Sequence, residues 1–493
     1  MMRRVAIIGM GVAGAAVLLA YGKKYSMQEP KDLRIDCFDE PETFGRGVPF
    51  SEQSPEALIN SRSFKISFDY ENLTEFHEWL QKNHSDDAPA DYVPRSLYGD
   101  YSYERTMDLI EKLGANPIYS KVSAVDHIEE TGQWMVKYTD SNEPSETIYD
   151  EVHICVGVEG YIDPYDLKGQ ANYLHYPYPL DKVCQPIDKA DSVVIIGTGL
   201  TAIDCAKHLL NQSGIRDISM FSRSNFFPTV RGDDLVELDF QHLTDEVIDE
   251  VKANNNGKFT FDAFDRLFKK EVKHLNIDYQ YFKEKQMAPG EQGMQNGLKN
   301  RDQFGIMASL MNRVSEIMTI GWEAMPLDDR KQFDEVYQKV VELTRNPMPD
   351  TSAEELISFV DEGKLHILDN VKEIELALEG GFILSNEDKE VVKKVDWVLN
   401  ATGLDMKFQD LNEFPLHQQL LNDRYTQVDS AGGYSIVRKT ASLISPRYGQ
   451  WNNLYAHGLI VNGPIYQNNA SIKIQQHADM LVRRTPELVA FYI

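Results

Sequence analysis

Cysteine and positive charge are both scarce in this sequence. Its 493 residues include only four cysteines, Cys37, Cys155, Cys184 and Cys205, and no two of them form a Cys-x-x-Cys pair. This spacing gives no sign of a disulfide framework, a zinc site or a dithiol redox centre, so we expect no bound metal and a reduced, cytoplasmic location. The 50 basic residues are outnumbered by 77 acidic ones, for a net charge of −27. This acidity argues against a general nucleic-acid binder, which needs a basic face, but it leaves open a local basic pocket for an anionic cofactor.

Long apolar runs are also missing. No stretch approaches the roughly 18 apolar residues of a membrane span, so we expect no membrane partner. Residues 1–20 imitate a signal peptide, because a basic start precedes an alanine-rich run. Gly9, Gly11 and Gly14 interrupt that run at the spacing of a nucleotide-binding loop, and a strand pattern follows the run. We therefore interpret residues 1–20 as part of the fold. The length predicts two or three globular domains.

A strand, a glycine loop and a helix are predicted at the start of the chain. The apolar run 4–8 is typical of a buried parallel strand and leads into Gly9-Met-Gly11-Val-Ala-Gly14. Gly9 makes the tight turn, and Gly11 lets the backbone approach a pyrophosphate. Gly14 lets the following helix pack close to the strand. The free N–H groups of the helix N-terminus then face the phosphates.

An acidic residue completes this first unit. Residues 33–38 predict the next strand, and Asp39 stands at its end, where a carboxylate can accept hydrogen bonds from ribose hydroxyls. Two other acids compete for the role. Asp36 lies inside the strand and Glu40 lies one residue past its end, so Asp39 is the preferred ribose ligand.

The same pattern recurs in the middle of the chain. Residues 192–196 predict a strand, followed by Gly197-Thr-Gly199-Leu-Thr-Ala202 and a helical stretch. The next strand, 218–221, ends at Arg223 and not at an acid. An arginine can pair with a ribose 2′-phosphate, which favours NADPH, although NADH stays open and Arg223 could be an exposed loop cation. Two such units point to a chain whose N-terminal unit binds FAD and whose second unit binds a nicotinamide cofactor.

Several further stretches resemble one family. It comprises FAD/NAD(P)-binding proteins whose domain is shared with an FAD-dependent urate hydroxylase and an aspartate N-monooxygenase. More distantly, the chain resembles ornithine and lysine N-hydroxylases and flavin monooxygenases. Besides the first glycine motif, the matching segments are residues 44–50, Pro55, residues 58–60, 94–101, 197–201, 222–228, 322–349 and 454–458.

The resemblance implies further cofactor contacts in the first half of the chain. Gly45 and Gly47 would let the backbone pass close to the flavin. Asn60 would hydrogen-bond the isoalloxazine edge, or else serve a turn or cap. Arg95 would serve the flavin phosphate or substrate, or else form a surface salt bridge. Val122, at the start of a predicted strand region, is also a candidate contact.

The second half of the chain holds the remaining candidates. Thr402 and Gly403 end an Asn-Ala-Thr-Gly stretch that resembles the point where related chains return between the two nucleotide domains. Gly458 and Gly463 resemble a loop that covers the flavin, and a closing helix is expected over residues 468–483. Residues 61–64 and 344–347 depart from the family pattern, so the substrate of no relative can be transferred.

The predicted fold class is α/β, with two Rossmann-like dinucleotide-binding domains and a helical insertion. We assign residues 1–185 and 365–493 to the FAD-binding domain and residues 186–224 and 346–364 to the NAD(P)H-binding domain. The insertion spans residues 225–345, with helical spacing at 244–253, 261–274 and 303–321 and loops at 254–257 and 289–297. It is interpreted as a cap over the active site or, alternatively, as a structural or homodimer-forming subdomain.

These features favour an FAD-dependent, NAD(P)H-consuming monooxygenase. Reduced flavin would react with O₂, and the C4a-hydroperoxide would hydroxylate a small polar substrate such as an amino acid or purine. No Ser-His-Asp set is needed or found, and no catalytic residue is assigned. Two alternatives stay open: an NAD(P)H oxidase or flavin reductase without a dedicated substrate, and a non-catalytic flavin-binding sensor.

Overall fold

The computed structural model describes residues 2–51, 53–86, 90–140, 143–232 and 236–483. The strands are β1 (Arg3–Ile8), β2 (Leu33–Asp39), β3 (Asn116–Tyr119), β4 (Val122–Ile128), β5 (Gln133–Asp140), β6 (Glu143–Tyr149), β7 (Glu151–Ile154), β8 (Tyr173–Leu174), β9 (Ser192–Ile196), β10 (Asp217–Phe221), β11 (Leu365–Ile367), β12 (Glu373–Leu376), β13 (Phe382–Ser385), β14 (Val391–Val395), β15 (Trp397–Asn400), β16 (Ile436–Val437), β17 (Ser442–Ser445) and β18 (Gly449–Ala456).

The α-helices follow the same chain order. They are α1 (Val12–Lys24), α2 (Glu75–Asn83), α3 (Arg95–Leu113), α4 (Leu180–Val183), α5 (Leu200–Lys207), α6 (Asp245–Asn254), α7 (Phe261–His274), α8 (Tyr279–Tyr281), α9 (Gly290–Lys299), α10 (Arg301–Gly321), α11 (Leu327–Phe333), α12 (Lys339–Arg345), α13 (Asp350–Asp361), α14 (Pro415–Asn422) and α15 (Ser471–Arg483). None of the described helices is long and apolar enough to cross a membrane.

The chain forms two compact units, and the first contains the N-terminal glycine loop. It comprises Met1–Pro55, Ser61–Gly160 and Leu404–Ile493. Its main sheet has the strand order β16-β17-β18-β7-β1-β2-β3, in which the five strands from β18 to β3 are parallel. The antiparallel sheet β4-β5-β6 lies between β3 and β7 in the sequence and packs Trp134 into the core.

The central position of β1 explains its composition. Four successive apolar residues of this strand, Val5 to Ile8, are buried, as expected where both faces of a parallel strand are covered. The strand is paired on one side with β2 and on the other with β7. Helix α1 follows it, and its small residues Ala15, Ala16 and Ala20 are also buried. Lys23 and Lys24 in the last turn suit the negative end of the helix dipole.

The second unit contains the second glycine loop and the helical insertion. It comprises Glu56–Asn60 and Tyr161–Gly403. Its main sheet is parallel throughout, in the order β11-β10-β9-β15-β8, and a separate antiparallel sheet has the order β12-β13-β14. The expected α/β class with two Rossmann-like folds is therefore confirmed.

The compact units do not follow the predicted domain boundaries. We expected residues 161–185 and 365–403 in the domain of the first glycine loop, but both segments belong to the second unit. The reason is strand pairing, because β15 lies between β9 and β8 and β11 pairs with β10. An apolar strand pattern shows that a strand is buried, and it does not show which strand is its neighbour.

Most of the helical insertion agrees with its sequence pattern, and one prediction is wrong. The predicted helices correspond to α6, α7 and α10, whereas residues 289–297, expected as a loop, lie largely in α9. Glycine suggested a break there, but close packing requires it. A Cβ on Gly293 would lie 2.1 Å from the Ala288 carbonyl oxygen, and one on Gly297 would lie 2.7 Å from the Val230 side chain.

Candidate dinucleotide sites

The first glycine loop is a cradle that side chains would fill. Gly9 has a φ of +90°, and a Cβ there would lie 2.7 Å from the Val156 amide nitrogen. A Cβ on Gly14 would lie 2.0 Å from the Gly9 carbonyl oxygen. Gly11 precedes α1, and no side chain caps the helix N-terminus. The glycines therefore allow close backbone packing, and the uncapped helix start offers N–H groups of the kind that a dinucleotide pyrophosphate requires.

Asp39 ends β2 beside this loop, and the protein already engages its carboxylate. It accepts hydrogen bonds from the Met10 amide at 2.6 Å, the Thr43 hydroxyl at 2.7 Å and the Glu40 amide at 2.8 Å. Burial raises the pKa of Asp39 above its ordinary value, against the lowering effect of these bonds. A carboxylate has about four acceptor positions, so one is left for a ribose hydroxyl.

The competing acid Asp36 has a structural role. It is 1% exposed. It accepts hydrogen bonds from Arg4 at 3.1 Å, Tyr149 at 2.9 Å and Asn116 at 3.1 Å. A buried carboxylate with this many donors joins strands of the sheet and is not available to a ligand.

Gly47 and Gly458 converge on the first glycine loop. Gly47 has a φ of +74°, and its missing Cβ would lie 3.2 Å from the Gly11 Cα atom. Gly458 has a φ of +84°, and a Cβ there would lie 2.6 Å from the Ala13 Cβ atom in α1. The Gly458 carbonyl oxygen accepts a hydrogen bond of 2.9 Å from Asn468, a fully buried residue that the sequence reasoning missed.

Other glycine candidates have packing roles in the structure. A Cβ on Gly45 would lie 3.0 Å from the Tyr103 Cα atom of α3. One on Gly463 would lie 1.8 Å from the Gly432 carbonyl oxygen. Both glycines therefore allow chain segments to approach each other. The closing helix begins at Ser471, three residues later than expected.

Asn60, Arg95 and Val122 lie in different places. Asn60 belongs to the short segment of the second unit, and its carbonyl oxygen accepts a hydrogen bond from Arg231. Arg95 is the first residue of α3. Val122 begins β4 and is 3% exposed in the core of the first unit. Their cofactor contacts stay predictions.

The second glycine loop repeats the geometry with one difference. Gly197 has a φ of +129°, and its missing Cβ would lie 2.5 Å from the Ala401 carbonyl oxygen. Around Gly199 a Cβ would meet nothing within 4 Å, so this position faces open space at the uncapped start of α5. Ala202 is fully buried, which shows that the third small position tolerates a methyl group here.

A polar network that the sequence reasoning missed joins this loop to the end of β10. Thr198 donates its hydroxyl to the Phe226 carbonyl oxygen at 2.8 Å and lies 3.0 Å from the Ser222 hydroxyl. The Asn225 side chain accepts from the Ser222 amide at 2.7 Å. Asn225 has a φ of +49°, which asparagine tolerates better than most residues. A Ser-x-x-Asn spacing after a strand is a sequence signal for such a turn.

Arg223 lies within this turn, between Ser222 and Asn225, and is exposed. It makes no ion pair with any residue in the described part of the chain. Its charge lowers the pKa of Tyr165, although burial is the larger effect and raises that pKa overall. Its pairing with a ribose 2′-phosphate stays a prediction.

Thr402 and Gly403 mark the end of the second unit. Gly403 is its last residue and has a φ of +108°. Its carbonyl oxygen accepts from the Ile162 amide at 3.1 Å, and the Thr402 hydroxyl donates to the Ile162 carbonyl oxygen at 3.1 Å. The long segment of this unit, residues 161–403, therefore begins and ends at neighbouring positions, as a return of the chain between the two folds requires.

A row of buried polar side chains in mutual contact lies on one face of the main sheet of the first unit. Glu151 accepts from Tyr21 at 2.6 Å and from His153 at 2.9 Å, and His153 lies 3.2 Å from His457. Burial opposes the ionisation of Glu151, but these hydrogen bonds outweigh it and lower its pKa to about 2. Beyond His457 lies His477 of α15, with ring centroids 5.4 Å apart. Both of these last histidines are fully buried.

The first third of the chain is similar to a known family of domains. Residues 6–159 match the model of a family described as FAD-NAD(P)-binding. The expected cofactor-binding domain is thereby confirmed. A human protein, dimethylaniline monooxygenase (N-oxide-forming) 6, is 26% identical over 217 residues. That match covers 42% of this chain and 38% of the human protein.

Solved structures show the same fold over the whole chain. An L-lysine 6-monooxygenase from Pseudomonas syringae superposes with a TM-score of 0.61 at 13% identity, covering 99% of this chain and 100% of that chain. An ornithine N-hydroxylase from Kutzneria sp. 744, in complex with reduced FAD, NADP⁺ and L-ornithine, gives a TM-score of 0.57 at 11% identity, covering 98% and 99%. The resemblance stated from the motifs is confirmed at the level of the fold.

Proposed function

We propose that the chain is an FAD-dependent, NADPH-consuming monooxygenase that hydroxylates a small polar substrate. The observation that carries this proposal is the pair of glycine cradles. Each lies at the carboxyl end of a parallel strand, before a helix whose N-terminus no side chain caps. Ligands of open α/β sheets bind at this end of the strands. A chain with two such sites suits hydride transfer between two dinucleotides.

The residues of the first unit fit FAD. Gly9, Gly11 and Gly14 let the turn, the start of α1 and the neighbouring backbone pack closely, which leaves the uncapped N-terminus of α1 to a pyrophosphate. Asp39 has one acceptor position for a ribose hydroxyl. Bound flavin would supply the redox and oxygen chemistry, while the protein binds and orients it. The Gly458 turn, held by Asn468, would close over it.

The second unit fits NADPH. Gly199 faces open space at the start of α5, where a pyrophosphate would approach the backbone. Arg223 would pair with the 2′-phosphate. The names of the similar proteins, which are lysine, ornithine and dimethylaniline monooxygenases, support the reaction class. The substrate is proposed only as a small polar molecule such as an amino acid or purine.

Anaerobic mixing with NADPH is the test of this function. The bound flavin should lose its visible absorption, and air should restore it. A panel of amino acids and purines is then scored for NADPH oxidation, with the product mass increased by one oxygen atom. Failure of both NADPH and NADH to reduce the flavin would exclude the proposal.

The two alternatives give different results in the same experiment. An NAD(P)H oxidase would consume NADPH and O₂ without any oxygenated product. A flavin-binding sensor would bind FAD without oxygen-dependent consumption of NADPH. A cytoplasmic location and a homodimer are further proposals; the four cysteines are buried and free, as a reduced compartment would allow.

Replacing Arg223 with glutamine should separate the two nicotinamide cofactors. We expect the KM for NADPH to rise about tenfold, or ~1.4 kcal/mol, because a charge-assisted hydrogen bond to the 2′-phosphate is lost. The KM for NADH should change less than about twofold. Steady-state kinetics with both cofactors measures this difference.

Arg216→Gln is the matched control for that variant. Arg216 is also exposed, but it precedes β10 at the opposite end of the strand. It should leave both KM values unchanged. An equal effect of Arg223→Gln on NADPH and NADH would contradict the 2′-phosphate assignment.

A further inference from the structure

Lys339 lies against the turn that follows β10. Its ammonium nitrogen is 3.5 Å from the centroid of the Phe226 ring. The Phe226 carbonyl oxygen accepts the hydrogen bond from Thr198, which stands between the two glycines of the second loop. Phe226 therefore contacts both Lys339 and Thr198 of the loop, although more than a hundred residues separate Lys339 from Thr198 in sequence.

A second lysine lies close to the first. The Lys283 ammonium donates to the Val336 carbonyl oxygen at 3.2 Å, and Val336 is three residues before Lys339 in the same helical segment. The two charges are near enough to interact. Burial, and after it the charge of Lys283, lowers the pKa of Lys339.

Among the described residues, neither ammonium has a carboxylate partner. Lys283 and Lys339 make no ion pair with any residue of the ranges that the structure describes. This is notable because acidic residues outnumber basic ones by 77 to 50, and because Glu335 stands four residues before Lys339, at a spacing that permits a helical ion pair. Two neighbouring cations without a counter-charge are an arrangement that an anion stabilises.

We propose that Lys339 and Lys283 bind the 2′-phosphate of NADPH together with Arg223. This inference rests on the proposed function of the second unit. The 2′-phosphate is favoured over the pyrophosphate because Phe226 is three residues beyond Arg223, after the strand whose end recognises the ribose. The pyrophosphate belongs instead at the start of α5. A phosphate monoester carries nearly two negative charges, so it suits several cations.

Equilibrium binding of NADP⁺ and NAD⁺ to single variants tests this proposal. We expect Lys339→Met to raise the Kd for NADP⁺ about tenfold and Lys283→Met about threefold, since Lys339 contacts Phe226 directly whereas Lys283 contacts Val336. The Kd for NAD⁺ should stay within about twofold in both variants. Lys331→Met is the control, because Lys331 is exposed in the same insertion and already pairs with Asp328 at 3.0 Å.

The possible outcomes are distinct. Unchanged NADP⁺ binding in Lys339→Met, or equal weakening of NADP⁺ and NAD⁺, would overturn the inference and leave the proposed function intact. If the wild-type chain bound neither dinucleotide, the proposed function would fail. Adenosine 2′,5′-bisphosphate would then test the cations alone, with weaker binding to Lys339→Met supporting them and equal binding overturning them. Circular dichroism confirms that each exposed substitution leaves the fold intact.

Discussion

Gly14→Ala is expected to yield a protein that retains almost no FAD. The alanine Cβ would lie 2.0 Å from the Gly9 carbonyl oxygen and 3.0 Å from its carbon, and both atoms belong to the backbone. Neither can rotate away, so the start of α1 must move off the glycine loop. We expect a displacement of about 1 Å here to lower the affinity for FAD about a hundredfold. The FAD content of the purified protein and the Kd of the apoprotein for FAD measure the effect.

The second glycine loop supplies the matched control. Ala202 occupies the corresponding position, is fully buried and already carries a methyl group. Ala202→Gly should leave FAD content unchanged and lower the free energy of unfolding by about 1 kcal/mol, the cost of glycine in a helix. A Gly14→Ala protein purified with a full complement of FAD would show that the cradle is not the flavin site.

Acid is expected to destabilise the first unit strongly through its buried histidines. Burial lowers the pKa of His477 to about 3, with a further contribution from the charge of Arg438. Burial also lowers the pKa of His457, assisted by the charges of His477 and His153. These groups are neutral in the folded chain, whereas an unfolded histidine titrates near ~6.5. The contribution of these neutral histidines to stability is therefore fully present above pH ~6.5. It is lost as the pH falls towards their pKa values in the folded chain.

The size of this effect follows from the separation of the pKa values. Because of His477 alone, the free energy of unfolding should be about 2 kcal/mol lower at pH ~5 than at pH ~7.5. Urea denaturation at the two pH values measures it. Glu151 does not interfere in this range, because its pKa of about 2 keeps it ionised in the folded chain.

His477→Met should remove this part of the pH dependence. Methionine fills a similar apolar volume and does not titrate, so the difference between the two pH values should shrink by about 2 kcal/mol. His274→Gln, at an exposed histidine in α7, should leave the difference unchanged. An unaltered pH dependence in His477→Met would show that His477 does not carry the effect.

Local patterns predicted the nucleotide-binding strands well. The expected strand 192–196 coincides with β9, and α7 has the predicted bounds. Apolar runs and helical spacing are properties of adjacent residues, so they are visible without the fold. Several motif glycines have the geometry that their residue type permits, because Gly9 and Gly197 have a positive φ and Gly14 closely approaches the Gly9 carbonyl oxygen. Their contacts with a cofactor stay predictions. The prediction of a loop at residues 289–297 was wrong because glycine also permits close packing of a helix such as α9.

The sequence alone determined the two glycine loops, the acid Asp39 after the first and the cation Arg223 after the second. Only the tertiary structure decided which strands share a sheet, because pairing joins β15 to β9 across some two hundred residues. It also decided that Gly45 packs against α3, that Asn468 holds the Gly458 turn and that Lys339 reaches Phe226. Those contacts depend on segments distant in sequence that the folded backbone brings together, and no local pattern records them.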